Sequence, residues 1–95
     1  MTIARIGEFR AAEGKEDALA SFLASITPLI LGSEGAVSCQ LFRDQADASR
    51  FFMIEHWETP EAHKASVKNI PPAMLQQAQT LFAASPVGSY FDPID

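Results

Sequence analysis

The stretch Phe51-Phe-Met-Ile-Glu-His-Trp57 constrains the fold of this chain more than any other. Its β-branched and aromatic residues predict a strand, and side chains alternate across a strand. Phe51, Met53, Glu55 and Trp57 therefore share one face, and Phe52, Ile54, His56 and Glu58 share the other. Both faces begin apolar, so both sides of the sheet need cover. Helices can cover one of them. A second copy of the chain is the simplest cover for the other, because a contiguous apolar sheet face marks an interface. The alternative is a monomer that leaves scattered apolar residues in water, which is common on protein surfaces.

The remaining segments supply the other layers. Ile3 to Arg10 reads as a first strand, ending before Glu13-Gly14. Leu19, Phe22, Leu23, Ile26 and Ile30 recur at helical spacing and make one apolar stripe. Pro28 lacks an amide donor, so that helix kinks there or ends just before it, with Gly32 as its stop. Ala36 to Phe42 is a second strand, and Arg43 to Arg50 a hairpin loop. Thr59-Pro60-Glu61 starts a helix, with Thr59 as cap, Pro60 in the first turn and Glu61 complementing the dipole. It runs to about Asn69. Pro71-Pro72 opens another helix, carrying Met74, Leu75, Ala78, Leu81 and Phe82 on one side, and Val87 to Phe91 is a last strand. The order β-α-β-β-α-α-β predicts an α+β, ferredoxin-like domain over residues 1–95. Its four-stranded antiparallel sheet has helices on one face and pairs with a second copy as a dimeric α/β barrel.

Composition narrows the partners. A net charge of −5 argues against nucleic acid, and no basic patch suits an anionic membrane. No apolar run approaches the ~18 residues of a membrane span. Arg5 and Glu8 break up any signal-peptide core at the N-terminus, and the lone Cys39 fits a reducing compartment, so a cytoplasmic setting is expected. Metal-ligand spacing, a phosphate-binding Gly-rich loop and a serine elbow are all missing, so no cofactor or metal is expected.

The candidate chemistry lies on the third strand and the helix after it. His63, Val67 and Ile70 follow i, i+4, i+7 spacing, which turns His63 toward the sheet with Ser66 nearby. Such a histidine is either a pocket base or hydrogen-bond partner, or a buried ring satisfied by a carbonyl or by Ser66. Glu55 lies between Met53 and Trp57 on one strand face. An unpaired carboxylate there is costly, so it orients a ligand or holds a proton at raised pKa, or else pairs with an arginine such as Arg5, Arg43 or Arg50. Trp57 can floor a pocket for a planar ligand or serve as core. Tyr90 is a possible pocket hydroxyl. Cys39 reads as inert packing, and His56, on the opposite face, as structural.

The run Phe52-Met-Ile-Glu55-His-Trp57-Glu58-Thr-Pro-Glu61-Ala62-His63-Lys-Ala65-Ser66 resembles the central signature of the antibiotic biosynthesis monooxygenase (ABM) domain family. That signature is an apolar strand ending in Glu-x-Trp, followed by a capped helix opening with Glu-Ala. Glu34-Gly35-Ala-Val-Ser-Cys-Gln-Leu-Phe-Arg43 and Gly14-Lys15-Glu16 are similar to the family's helix-to-strand junction and first helix start. The resemblance implies a dimeric α/β barrel. It also implies oxygenation of phenols or quinols without metal or flavin, although relatives degrade haem and many members have no known activity. Many members carry a histidine where Ser66 stands, whereas this chain has His63 one turn earlier, as a branch of the family does. Haem-degrading relatives use a pocket asparagine, and the only asparagine here, Asn69, lies beyond the capped helix.

The expected function is cofactor-independent monooxygenation of a small aromatic quinol or phenol. His63 serves as base or hydrogen-bond partner, Glu55 as orienting group and Trp57 as stacking wall, with Ser66, Met53 and Tyr90 completing the substrate site. The alternatives are a non-catalytic small-molecule-binding or stress-related dimer, and an isomerase or decarboxylase on the same fold.

Overall fold

A computed structural model describes residues 2–94. Its elements are β1 (Ile3–Arg10), α1 (Glu16–Leu31), β2 (Ala36–Arg43), β3 (Arg50–Trp57), α2 (Pro60–Ser66), a 3-10 turn (Val67–Asn69), α3 (Pro72–Gln79) and β4 (Val87–Phe91). The strands form one antiparallel sheet in the order β2-β3-β1-β4, and the fold is ferredoxin-like. β3 is thus an inner strand, and its alternation is visible in its burial. Phe51, Met53, Glu55 and Trp57 are buried, whereas Phe52, Ile54 and His56 are half-exposed.

The register carries this division across the sheet. Gly7 and Leu41 stand opposite Met53, and Arg5 and Cys39 opposite Glu55, so they share the covered face. That face packs on the stripe of α1, in which Leu19, Phe22, Leu23, Ile26 and Ile30 are buried. The opposite face carries Ile6, Phe42, Phe52, Ile54, Val87 and Phe91. Phe42, Val87 and Phe91 are exposed in the single chain.

Tertiary context decides three local features: of the two outcomes open at Pro28 an end before it is excluded, and the helix stops at Gly32 as expected. α1 runs through Pro28 to Leu31. Pro28 and Ala24 both lie on the exposed side, where water can solvate the carbonyl that lost its donor, while Ile26 and Ile30 hold the helix to the core. The capped helix stops at Ser66, and the tighter 3-10 turn swings Val67 outward to 46% exposure. α3 ends at Gln79, so Leu81 lies in the turn that follows it and Phe82 in an isolated bridge to Ala11. No described helix is long and apolar enough to cross a membrane.

Gly35 fixes where α2 sits. Its φ is +85°, a left-handed conformation, and its carbonyl accepts the Glu58 amide at 2.8 Å. A Cβ there would lie 2.6 Å from the Ala62 Cβ. Gly14 shares the conformation, with φ +80°, but has open space around it. Gly14→Ala should therefore cost about 1–2 kcal/mol, the left-handed penalty alone. Gly35→Ala should cost about 1–3 kcal/mol more through overpacking. Urea unfolding of the two variants checks this, and equal losses would contradict the packing argument.

Candidate active site

Between α1, the covered sheet face and the segment from α2 to Pro86 lies a cavity of about 770 Å³. Small-molecule sites occupy ~300–1,000 Å³. Its walls are mainly apolar. Phe22, Ile26 and Ile30 come from α1, Phe9 from β1, and Leu75, Ala78 and Phe82 from α3 and its tail. Val67 and Ile70 also border it. Glu55, His63 and Ser66 supply polar groups.

Glu55 reaches the cavity because β3 puts it on the covered face. It is only 7% exposed. Among the described residues, no arginine forms an ion pair with it. Arg43 and Arg50 pair with Asp17, Glu8 and Asp44, and Arg5, its cross-strand neighbour, acts only through its field. The partner is Trp57 instead, whose Nε1 donates to Glu55 Oε1 at 2.8 Å. Two residues apart on one strand face, indole and carboxyl are side by side. Burial pushes the Glu55 pKa up from its ordinary value, and the indole hydrogen bond and the Arg5 charge pull part of the way back.

His63 is held from behind by Tyr90 of β4. Its Nδ1 lies 2.7 Å from the Tyr90 hydroxyl, and the rings meet edge to face at 5.4 Å. Trp57 packs on the imidazole in the same manner at 5.5 Å. Burial, then the Arg5 and Lys64 cations, push the His63 pKa down. Both cations also lie over the Tyr90 ring, at 5.0 Å and 5.6 Å. The Arg5 guanidinium occupies the space that Gly88 leaves free.

Met53, Glu55, His63 and Ser66 thus come together at the cavity, and Trp57 and Tyr90 do not line it. Trp57 is wholly buried behind Glu55 and His63, so it is no stacking wall. Tyr90 spends its hydroxyl on the imidazole. The Ser66 hydroxyl donates to the His63 carbonyl at 2.6 Å and leaves the ring alone. The aromatic surface available to a ligand comes instead from Phe9, Phe22 and Phe82, which sequence reasoning did not single out. Phe22 and Phe82 were visible there only as members of helical stripes, with nothing to separate cavity wall from core.

The Cys39 thiol is pushed up to about 11 by burial and by the Glu55 charge, which keeps it protonated and unreactive. Among the described residues, no three His, Cys, Asp or Glu side chains gather as a metal ligand set.

A family model for "Antibiotic biosynthesis monooxygenase" matches residues 2–79. A Chloroflexus aurantiacus protein assigned by name to that family superposes with a TM-score of 0.81 at 27% identity, over 100% of this chain and 95% of that one. A Pseudomonas aeruginosa protein gives 0.84 at 20% identity, over 99% and 95%. A variant of a cofactor-independent oxygenase from Streptomyces nogalater gives 0.80 at 14% identity, over 99% and 94%. These last two likenesses concern the fold alone. No curated protein matches the sequence.

The geometry sets the sign of the pH response. Glu55 binds its proton more tightly folded than unfolded, so its contribution to stability is full below 4.5 and is lost as pH rises through the raised pKa. His63 runs the other way: its contribution is full above 6.5 and is lost as pH falls through the depressed pKa. Trp57→Phe keeps a large ring and removes the donor. It should raise the Glu55 pKa further and cost about 1.5–3 kcal/mol at pH values where the carboxyl is ionised. Carboxyl-carbon NMR titration and urea unfolding check both, and an unchanged Glu55 titration would contradict the hydrogen bond's role.

Proposed function

Because this chain belongs to the antibiotic biosynthesis monooxygenase family, we propose that it is a cofactor-independent monooxygenase of a small aromatic phenol or quinol. The observation that carries the reading is an apolar cavity with ionisable Glu55 and His63 in its wall. Removing the phenolic proton leaves an anion electron-rich enough to react with dioxygen directly. One oxygen atom enters at a ring carbon that gives up its hydrogen, and the other leaves as water. A phenol and dioxygen thus become a quinone and water, and the substrate supplies every electron. The protein must hold the ring away from water, accept the proton and stabilise the anion.

The walls fit those tasks. Phe9, Phe22 and Phe82 offer faces and edges to a flat ring, and Glu55 and His63 supply the polar contacts. The working unit in this reading is one domain in a homodimer within a reducing cytoplasm. A second copy covers Ile6, Phe42, Ile54, Val87 and Phe91 on the free sheet face, as an apolar patch of that kind requires.

Oxygen-electrode assays with quinols, anthrones and flavonoids should show uptake matched to substrate loss. Changing both Glu55→Gln and His63→Gln should lower turnover by about two to four orders of magnitude. If no substrate consumes oxygen above the uncatalysed rate, a non-catalytic binding protein becomes the better reading. Sedimentation equilibrium at micromolar concentration should give twice the chain mass, and Phe42→Asp should give the single mass. A wild-type chain that sediments as a monomer would contradict the dimer.

A further inference from the structure

We infer that Tyr90 sets the tautomer of His63, so that the imidazole offers an Nε2–H donor to the cavity and Glu55 is the group that takes the substrate's proton. This deepens the proposed function and rests on it for the role of Glu55, but the tautomer stands on geometry alone.

A phenol has one proton to donate. Among the described residues the Tyr90 hydroxyl has a single hydrogen-bond partner, His63 Nδ1 at 2.7 Å. Donating to Nδ1 uses that proton in the one protein contact open to it. Nδ1 then accepts, and a neutral imidazole must carry its hydrogen on Nε2. The neutral form is the one favoured here, since burial, and then Arg5 from β1 and Lys64 from α2, oppose a positive charge on the ring. Glu55, from β3, is the carboxylate that shares the cavity with it. Nε2 has no protein partner among the described residues, and it is not an enclosed atom.

The same counting at Glu55 gives the complementary result. Indole can only donate, so Oε1 is committed as an acceptor to Trp57. Oε2 has no protein partner among the described residues and keeps accessible surface. An arriving proton therefore lands on Oε2, on the oxygen that is still free. Between them Glu55 and His63 thus offer one acceptor, Oε2, and one donor, Nε2–H. The substrate's O–H bond breaks, its electron pair stays on oxygen, the proton binds Oε2, and Nε2–H bonds the oxygen that carries the negative charge. No electron leaves the substrate in this step. An imidazole whose Nδ1 is taken by Tyr90 and whose Nε2 carries hydrogen has no lone pair left for that proton, whereas Oε2 has one. Trp57 and Tyr90 touch no substrate and act as positioning residues.

Two measurements separate this inference from the function it deepens. Long-range ¹H–¹⁵N correlation spectra of the wild-type protein, recorded without substrate at neutral pH, should show His63 with an unprotonated Nδ1 and a protonated Nε2. Tyr90→Phe should turn this into a mixture of tautomers. A wild-type His63 carrying its proton on Nδ1 overturns the assignment, whatever the protein catalyses. With an active substrate, Glu55→Gln should lower kcat/KM by about two to four orders of magnitude. His63→Gln, which keeps an N–H donor, should lose only about tenfold, well short of the hundredfold or more that losing an oxyanion donor outright can cost. The reverse ranking would make His63 the base and overturn the inference. If nothing turns over, the proposed function falls, and the nitrogen spectrum still decides the tautomer.

Discussion

The hydrogen bond from Trp57 Nε1 to Glu55 Oε1 is the interaction on which the site depends. Glu55 is nearly enclosed on an apolar sheet face, where a carboxyl without a partner would be too costly to keep. The indole gives it that partner without neutralising it. An arginine in the same place would pin the carboxylate in its charged form and hold its pKa down. The weaker, neutral donor leaves the carboxyl basic. Wholly buried, Trp57 has no freedom to turn away, so Glu55 inherits its fixed position.

The site is consequently built in two ranks. Glu55 and His63 line the cavity, and Trp57 and Tyr90 stand behind and hold them. Each rank draws on different elements. β3 supplies Glu55 and Trp57, α2 supplies His63, and β4 supplies Tyr90. β4 reaches His63 only because it pairs with β1, where Arg5 stands opposite Tyr90. The apolar wall depends on α1 continuing past Pro28, since Ile30 lies in the turn beyond it and borders the cavity. Fold and site thus share their supports, and a change in any of these elements reaches the cavity wall.

Much of this was legible in the chain. The alternation from Phe51 to Trp57, the stripe from Leu19 to Ile30 and the Thr59-Pro60-Glu61 start are local patterns, and local patterns survive folding when the core agrees with them. Thr59 Oγ1 does accept the Ala62 amide, at 3.1 Å. Glu55 and Met53 could be named because strand periodicity decides which way they point, and His63 and Ser66 reach the same cavity although Val67, a member of the stripe that suggested it, turns outward. What escaped was set by contacts distant in sequence. The Tyr90–His63 pair spans 27 residues and depends on the β1–β4 register. The indole's place behind the carboxyl, rather than before a ligand, depends on how α2 closes over it. Resemblance to the ABM family pointed to the barrel and its chemistry, but its usual helix histidine stands one turn away from His63, so the roles at this wall had to come from the contacts themselves.

The central claim is that dioxygen reacts in this cavity with an anion made there, one atom staying and one leaving as water. Turnover under ¹⁸O₂ in unlabelled water tests it most directly, with product analysed by mass spectrometry and peroxide measured alongside. The account expects one labelled oxygen atom per product molecule, labelled water and no accumulating peroxide. Product whose new oxygen is unlabelled, or oxygen uptake recovered wholly as hydrogen peroxide, would contradict it.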